Sequence, residues 1–422
     1  MGTYFYPVEN CAIVTLKTNK EGALHRIMER NLRLYPVYAT AFAAHFWLPV
    51  FFLYFQSQLS MAQVLRLEAL YYFVVVLSEV PSGYFSDAIG RRITLIIAAT
   101  SIAVAHAFFF FGNAFVYFAI GQACLAIGMA FNSGTNTALH FDSLTRLGRI
   151  EEYDQREARV ARLTFLGSGG AALAGGLVAT ISLRYAYGLS LLGALVALAA
   201  AMRLVEPHIR TGEGVMNATA FLRRIGRALG ELRQPPLRWL AAYGVIMIVL
   251  NHIPYEFYQP YLDELLQEHV GTTPLVSGVV TLITMLLAAQ VAGKSIALRD
   301  RWGLVPTLLF GTALQALIIA AMALFVHPVV AVLILLRSCP RAIMTAPRNA
   351  AVNPLIGEDH RATYLSLESL AGRLAFSLTL WSLATVGEAH NDVRAVLQIA
   401  GWVALVAFVG LAVTAPSKQK KL

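Results

Sequence analysis

The chain has 422 residues, of which 57% are hydrophobic and 14% are charged. Because soluble domains carry about 25% charged residues, this composition excludes an ordinary soluble domain and predicts an integral membrane protein. The formal net charge of +9 would suggest nucleic-acid binding in a soluble protein. In a membrane protein, a basic excess is expected from loops that face the cytoplasm, so no nucleic-acid partner is expected.

Twelve apolar stretches follow one another along the chain, each close to the roughly 20 residues that a membrane-spanning helix needs. We number them spans 1 to 12. Their predicted bounds are 33–56, 63–86, 92–111, 114–141, 160–181, 184–204, 237–261, 274–298, 304–325, 328–352, 361–385 and 394–415.

A polar and basic linker divides the twelve spans into two sets of six. The predicted domains are a cytoplasmic N-terminal segment 1–32, a first half 33–205, the linker 206–236, a second half 237–415 and a basic tail 416–422. The predicted fold class is therefore an all-α membrane bundle of two six-helix halves.

Lysine and arginine are distributed unequally between the loops on the two sides of the membrane. One set of loops contains Arg66, Arg184 and Arg394, whereas the alternate loops, the linker and the two terminal segments contain most of the other basic residues. Since basic loops stay in the cytoplasm, both termini are predicted to be cytoplasmic. A multi-pass protein of the bacterial inner membrane is expected.

The sequence GYFSDAIGRR lies between spans 2 and 3 and combines small residues with charged ones. Gly83 is expected to let neighbouring helices approach closely, and Gly90 to permit a turn that a side chain would hinder. Asp87 is expected to face the positive end of a helix. Arg91 needs a nearby carboxylate, and Asp142, at the end of span 4, is the predicted partner.

The spacing of this motif, after the second of twelve spans, resembles the signature loop of the major facilitator superfamily of transporters. The segments AFNSGTNTALHFDSL and RATYLSLESLAGRL look like parts of a bacterial exporter-like branch. The resemblance implies pseudo-symmetric halves that rock around a central site, with the motif and Asp142 as a latch that stabilises one access state. Two positions depart from proton-antiporter patterns, namely Gln122, where Arg is common, and Ala171, where Pro is common.

The resemblance also implies that spans 1, 4, 7 and 10 line a central cavity, and each carries polar residues on one face. Ionisable groups are costly inside a bilayer unless they face a cavity or a partner. The candidate cavity residues are Tyr38, His45, Asn132, Asn136, His252, Glu256, Arg337 and Arg341, together with Arg373 of span 11.

Depth within the spans distinguishes the charged candidates. Arg341 is predicted near the midplane, where it either contacts substrate or joins a structural salt bridge that involves Glu368 or Arg373 of span 11, and Arg337 is predicted toward the outside. The carboxylates that are candidates for carrying protons are Glu68, Glu256 and Glu368.

Arginines outnumber carboxylates inside the second half, and guanidinium groups bind carboxylate or phosphate, so an anionic or zwitterionic substrate is expected. The first interpretation is proton-coupled export of a small organic molecule. The alternatives are import or uniport of an organic anion and, more distantly, a non-transporting membrane sensor.

The sequence contains no GxxxxGK[ST] nucleotide-binding loop, so ATP-driven transport is not expected. Neither an enzymatic activity nor a cofactor nor a metal is expected. The expected partners are a small-molecule substrate, protons and the lipid bilayer, and the chain is expected to be a monomer.

Overall fold

The computed structural model describes residues 26, 28–207, 226, 229–266, 272–352, 355–356, 361–390 and 392–416. Ten helices in this part of the chain are long and apolar enough to cross a membrane. Span 1, whose helix is interrupted, and span 5, whose first turns are polar, complete the twelve. The protein is an all-α membrane bundle with two halves of six spans each.

The first half contains two interrupted spans and four continuous ones. Span 1 consists of a helix at residues 28–42 and a second at Phe51–Gln56, and span 4 consists of Phe115–Asn132 and Thr135–Arg146. The continuous spans are Met61–Ile89, Arg91–Phe111, Tyr153–Ala179 and Leu183–Arg203.

The second half repeats this arrangement with one interrupted span. Span 10 consists of Pro328–Ile334 and Cys339–Val352, and a short helix, Ser295–Trp302, follows span 8. Spans 7, 8, 9, 11 and 12 are Pro235–Leu265, Thr273–Ala292, Leu304–Leu324, Arg361–His390 and Val393–Val413. The predicted domain boundaries stay predictions, since most of segment 1–32, of the linker and of the tail lies outside the described residues.

Local sequence explains where several spans begin. Ser60 precedes span 2 and forms a capping box with Gln63, in which each backbone N–H donates to the other residue's side chain, so two otherwise unpaired donors at the helix start are satisfied. Asp392 caps span 12 by accepting from the backbone N–H of Arg394. Span 7 begins with Pro235, a residue well suited to the first turn of a helix.

The two ends of the bundle differ in charge. We call the end that holds Arg91, Arg146, Arg203 and Arg299 the basic end, and the end that holds Arg66, Arg184 and Arg394 the opposite end. Basic side chains at the basic end also tie loops to helices.

One such network joins the start of span 1 to the connection between spans 4 and 5. Arg149 lies 2.5 Å from Glu29 and 2.6 Å from Glu152, and Arg156 lies 2.8 Å from Glu152. Hydrogen bonds from Arg149 and Arg156 lower the pKa of Glu152 to about 2. Because a carboxylate with a lowered pKa keeps its charge at every pH above that value, this network stays charged across the physiological range.

The two halves touch along two pairs of spans. Ser377 of span 11 donates a hydrogen bond to the backbone carbonyl of Ala69 in span 2 at 2.8 Å. At the contact between spans 5 and 8, a Cβ at Gly176 would lie 2.7 Å from the backbone carbonyl oxygen of Pro274. Glycine therefore permits the close approach of these helices near the opposite end.

The halves are also joined at the opposite end by the interruption of span 1. The rings of Phe52 and Phe257 pack 5.7 Å apart, and both side chains are fully buried. The amide of Gln259 accepts from the backbone N–H of Phe52 and donates to the carbonyl of Leu48, each at 3.0 Å. The exposed backbone of the interruption is thus hydrogen-bonded by span 7, as a break inside a membrane requires.

The motif after span 2 differs from its expected conformation. Span 2 stays helical to Ile89, so Asp87 lies in its last turn, and Gly90 alone separates spans 2 and 3. The expectation that Gly83 allows a close helix approach is wrong, because a Cβ there would meet nothing within 4 Å. Gly83 lies on the exposed face of span 2, whereas Phe85 on another face packs against Phe131 of span 4 with ring centres 5.6 Å apart.

We expect Gly90→Ala to lower thermal stability measurably, whereas Gly83→Ala, at an exposed helical position, does not lower it. Gly90 has φ 115° and ψ 154°, a conformation open essentially to glycine alone that costs other residues about 1–3 kcal/mol. A Cβ there would also lie 2.6 Å from the Glu206 carboxylate. The unfolding temperature of both purified variants checks this, and equal stability of the two would contradict it.

Candidate functional site

A cavity of about 710 Å³ lies between the two halves, which is within the usual size range of small-molecule sites. Its wall comes mainly from spans 1, 2, 4, 7, 10 and 11, with contributions from Phe109 and Tyr187. The cavity is therefore bounded by both halves, as a central transport site requires.

The cavity is closed at the opposite end and open toward the basic end. At the opposite end, the contact between Phe52 of span 1 and Phe257 of span 7 is fully buried. The wall residues that remain exposed are Ser133, Arg341 and Thr345, all from the basic-end segments of their spans or from the break in span 4. Water therefore enters from the basic end.

Aromatic side chains form the part of the wall that lies nearest the opposite end. Trp47 and Tyr187 stack with their rings 6.5 Å apart, and Phe51 stacks on Tyr255 at 5.6 Å. These four residues and Phe55 line the cavity. They offer flat apolar surfaces to a ligand at the end of the cavity that is closed.

Two carboxylates are buried at the cavity. Glu68 of span 2 lines it and accepts a hydrogen bond from Gln122 Nε2 of span 4 at 2.8 Å. Glu256 of span 7 lies just behind the wall and accepts from the Tyr72 hydroxyl at 3.1 Å. Their side chains come from different halves, and neither forms an ion pair within the described part of the chain.

Arg337 lines the cavity, as expected, and its side chain is buried. It is 5% exposed and donates to the hydroxyls of Thr284 at 2.8 Å and Thr281 at 3.3 Å. Its guanidinium lies 4.0 Å from the centre of the Tyr258 ring. The interruption of span 10 at 335–338 places Arg337 on the cavity wall. No carboxylate among the described residues pairs with it.

Arg341 also lines the cavity, and its side chain is exposed there. The salt bridge suggested between Arg341 and span 11 is not formed, because Glu368 and Arg373 are paired with other residues. Glu368 pairs with Arg348 inside the second half, and Arg373 pairs with Glu79 of span 2 at 2.6 Å. Within the described ranges, Arg341 has no ion-pair partner.

The Arg373–Glu79 pair crosses from one half to the other at the edge of the cavity. Both side chains keep partial exposure, at 33% and 22%. Any rocking of the halves that separates spans 2 and 11 at this level has to break the pair.

The other polar candidates lie at different distances from the cavity. Asn132 and His252 line it, and Tyr38 stands behind Asn132, to which its hydroxyl donates at 2.8 Å. His45 lies in the interruption of span 1, with its ring 5.6 Å from that of Trp47, and is not part of the wall. Asn136 lies past the break in span 4, and its side chain accepts from the adjacent Thr137 N–H.

The latch residues lie at the basic end. Arg91 Nε is 3.4 Å from Asp142 Oδ2, and Arg91 Nη1 donates to Ser86 Oγ at 2.9 Å. The side chain of Asp87 lies outside the described residues. Glu206, immediately after span 6, accepts from the backbone N–H of Arg92 at 2.8 Å and holds the start of span 3.

Sequence reasoning missed several of these residues. Glu206 carried one usable signal, since it is an acid directly after an apolar span at the basic end. Tyr72 and Asn251, which line the cavity, carried none, because a Tyr or Asn in an apolar helix is equally consistent with a packing position. Gln122 was noted only as a departure from a pattern, whereas it contacts Glu68.

Comparisons with known proteins agree with this architecture. A family model described as Major Facilitator Superfamily matches residues 34–379. No curated protein matches the sequence.

Solved structures with a similar fold are transporters. A mutant of the nucleoside transporter NupG has a TM-score of 0.77 at 11% identity and covers 92% of this chain and 100% of its own. A mutant of the peptide transporter POT has a TM-score of 0.67 at 15% identity, with coverages of 92% and 94%. A D-xylose-proton symporter has a TM-score of 0.63 at 16% identity, with coverages of 94% and 100%. At these identities the likeness shows the fold alone.

Proposed function

This chain belongs to the major facilitator superfamily and is a transporter rather than an enzyme, and from that premise we propose that it exchanges protons for a small organic molecule. The observation that carries the proposal is the pair of buried carboxylates from opposite halves, Glu68 on the wall of one cavity and Glu256 just behind that wall. Neither has a cationic partner among the described residues.

Two buried carboxylates at one cavity repel each other when both are charged. Proton binding removes that repulsion, and so does a cationic group of a ligand. If protons and substrate use the same carboxylates, one must leave before the other binds. Competition of this kind produces antiport, which supports export driven by an inward proton gradient.

The unpaired arginines Arg337 and Arg341 support an anionic group on the substrate. A buried guanidinium without a counter-charge is costly, and a carboxylate or phosphate fits its planar fork. Import or uniport of an organic anion is the second candidate, because the same arginines would serve it without any proton.

The basic end is proposed to face the cytoplasm, because lysine and arginine accumulate in cytoplasmic loops. Both termini then lie in the cytoplasm of a bacterial cell with the protein in its inner membrane, acting as a monomer. With this orientation, the cavity is open inward and closed outward.

Asp142→Asn is expected to slow transport severalfold without changing the affinity for substrate. The substitution removes the charge that faces Arg91 at 3.4 Å but keeps the size of the side chain, so the access state that the latch stabilises loses population. Flux and equilibrium binding in the same preparation check this. Asp300→Asn is the matched control, because Asp300 forms an exposed pair with Arg299 at the basic end. Identical flux in the two variants would argue against the latch.

The function is tested with purified protein in liposomes that carry a pH dye and an imposed pH gradient. Addition of organic acids, amino acids and amines in turn is expected to produce proton movement for at least one class. Flux that is equal with and without the gradient would support uniport instead. Ligand binding without flux for any compound would support the sensor interpretation.

A further inference from the structure

Four charged side chains at the cavity lack partners of opposite charge within the described residues, and their signs balance. Glu68 and Glu256 are negative, and Arg337 and Arg341 are positive. Other charges nearby are paired, since Arg373 binds Glu79 and Arg348 binds Glu368. Within the described residues, the charges around the cavity are thus paired, whereas charges of both signs at the cavity have no ion-pair partner.

The acidic side of the cavity also holds acceptor atoms without donors. Glu256 Oε2 and Gln122 Oε1 have no hydrogen-bond partner, and the two residues are 0% and 3% exposed. Asn251 Oδ1, on the cavity wall, is likewise without a partner. A buried acceptor without a donor costs about 1–3 kcal/mol, and these three atoms are acceptors, whereas Trp47 Nε1 and the Tyr187 hydroxyl on the aromatic part of the wall also lack partners. A group that donates several hydrogen bonds would satisfy the three acceptors.

Glu68, Glu256 and Arg341 differ in depth, whereas Arg337 lies about 14 Å from the start of span 10, level with Glu256. At about 1.5 Å per helical residue, Glu68 and Glu256 lie about 10 and 14 Å from the opposite-end termini of spans 2 and 7. On the same scale, Arg341 lies about 20 Å from the start of span 10. The acids thus lie deeper toward the closed end, and Arg341 lies closer to the open end.

We infer that the substrate is dipolar, with an ammonium group that binds between Glu68, Gln122 and Glu256 and a carboxylate that binds Arg341. This inference rests on the proposed function, whose substrate it specifies. An ammonium group supplies three donors and no acceptor, which suits the unpartnered oxygens of Gln122 and Glu256 and the carboxylate of Glu68. The depth difference orients the molecule with its carboxylate toward the open end of the cavity.

The test is thermal stabilisation of the purified protein by probes of matched length. Glycine, β-alanine, 4-aminobutanoate and 6-aminohexanoate vary the distance between the two charges, while butanoate and butylamine each carry one charge. At least one amino acid of the series is expected to bind at least tenfold more tightly than both monofunctional compounds. Equal binding by butanoate, or no binding by any amino acid of the series, would overturn the inference.

Variants of the two acids test whether the ammonium end of the probe binds between them. Glu68→Gln is expected to abolish the advantage of 4-aminobutanoate over butanoate, and Glu256→Gln to reduce it, so the conclusion does not depend on one variant. Glu264→Gln, an acid of span 7 that pairs with Arg394 outside the cavity, is the control. If Glu68→Gln and Glu256→Gln both keep the wild-type preference, the ammonium group does not bind there.

This assay measures equilibrium binding rather than transport. Its result therefore identifies the substrate class whether or not transport is driven by protons. A dipolar preference without proton movement would leave the substrate class intact and contradict the antiport mechanism. Proton movement with a purely anionic compound would support the antiport mechanism and contradict the dipolar substrate class.

Discussion

Arg341→Gln is expected to weaken substrate binding about a hundredfold or more, and Arg341→Lys about tenfold. A hydrogen bond to a charged group contributes about 1.5–3 kcal/mol, and 1.4 kcal/mol changes a Kd tenfold. Lysine keeps the charge but loses the planar fork that binds a carboxylate with two hydrogen bonds, whereas glutamine loses both. Arg341 is the residue for this test because it faces the cavity without a partner among the residues described.

The measurement is a Kd from ligand-dependent thermal stabilisation in detergent. Arg66→Gln serves as the control, since Arg66 lies at the opposite end and pairs with Glu388 outside the cavity. A Kd within a factor of two of the wild type in both Arg341 variants would remove the anion-binding role from this residue.

The double variant Glu68→Gln/Glu256→Gln is expected to lose accumulation driven by a pH gradient while it retains, with a weakened affinity, flux down a gradient of saturating substrate. Glutamine keeps the shape and the hydrogen-bonding capacity of the side chain but cannot take up a proton. The contacts with Gln122 and Tyr72 can be kept by an amide, so the fold is expected to survive.

The measurement is the internal substrate concentration in liposomes with and without the gradient, at saturating external substrate. The double variant is expected to reach equilibrium and no more. Glu368→Gln is the informative comparison, because Glu368 is paired with Arg348 and is expected to affect stability rather than coupling. Retained accumulation in the double variant would show that the protons bind elsewhere.

Sequence reasoning could predict the spans, because hydropathy is a local property. The predicted ranges 92–111 and 304–325 differ by a single residue at one end from Arg91–Phe111 and Leu304–Leu324. It could not predict the interruptions of spans 1, 4 and 10, because an interrupted helix depends on what satisfies its free backbone groups. The side chain that does so in span 1, Gln259, comes from span 7.

Side-chain partners across spans were less accessible to sequence reasoning. Which of Glu68, Glu256 and Glu368 faces the cavity depends on the rotation and depth of each helix, and a pattern along one helix fixes neither. Glu368 proved to be paired inside the second half, and Arg337 proved to be buried. Gly83 shows a related difficulty. This glycine of the signature motif was expected to allow a close approach of two helices, but a Cβ at this position would meet nothing within 4 Å.

The most direct test is the number of protons released when the purified protein binds a ligand in weakly buffered solution. If a dipolar substrate and protons compete for Glu68 and Glu256, the tightest binder of the amino-acid series should release about one proton per molecule bound, by linkage between the two equilibria. The Glu68→Gln/Glu256→Gln variant should release none when titrated to saturation. Saturable binding to the wild-type protein without any proton release would contradict the account.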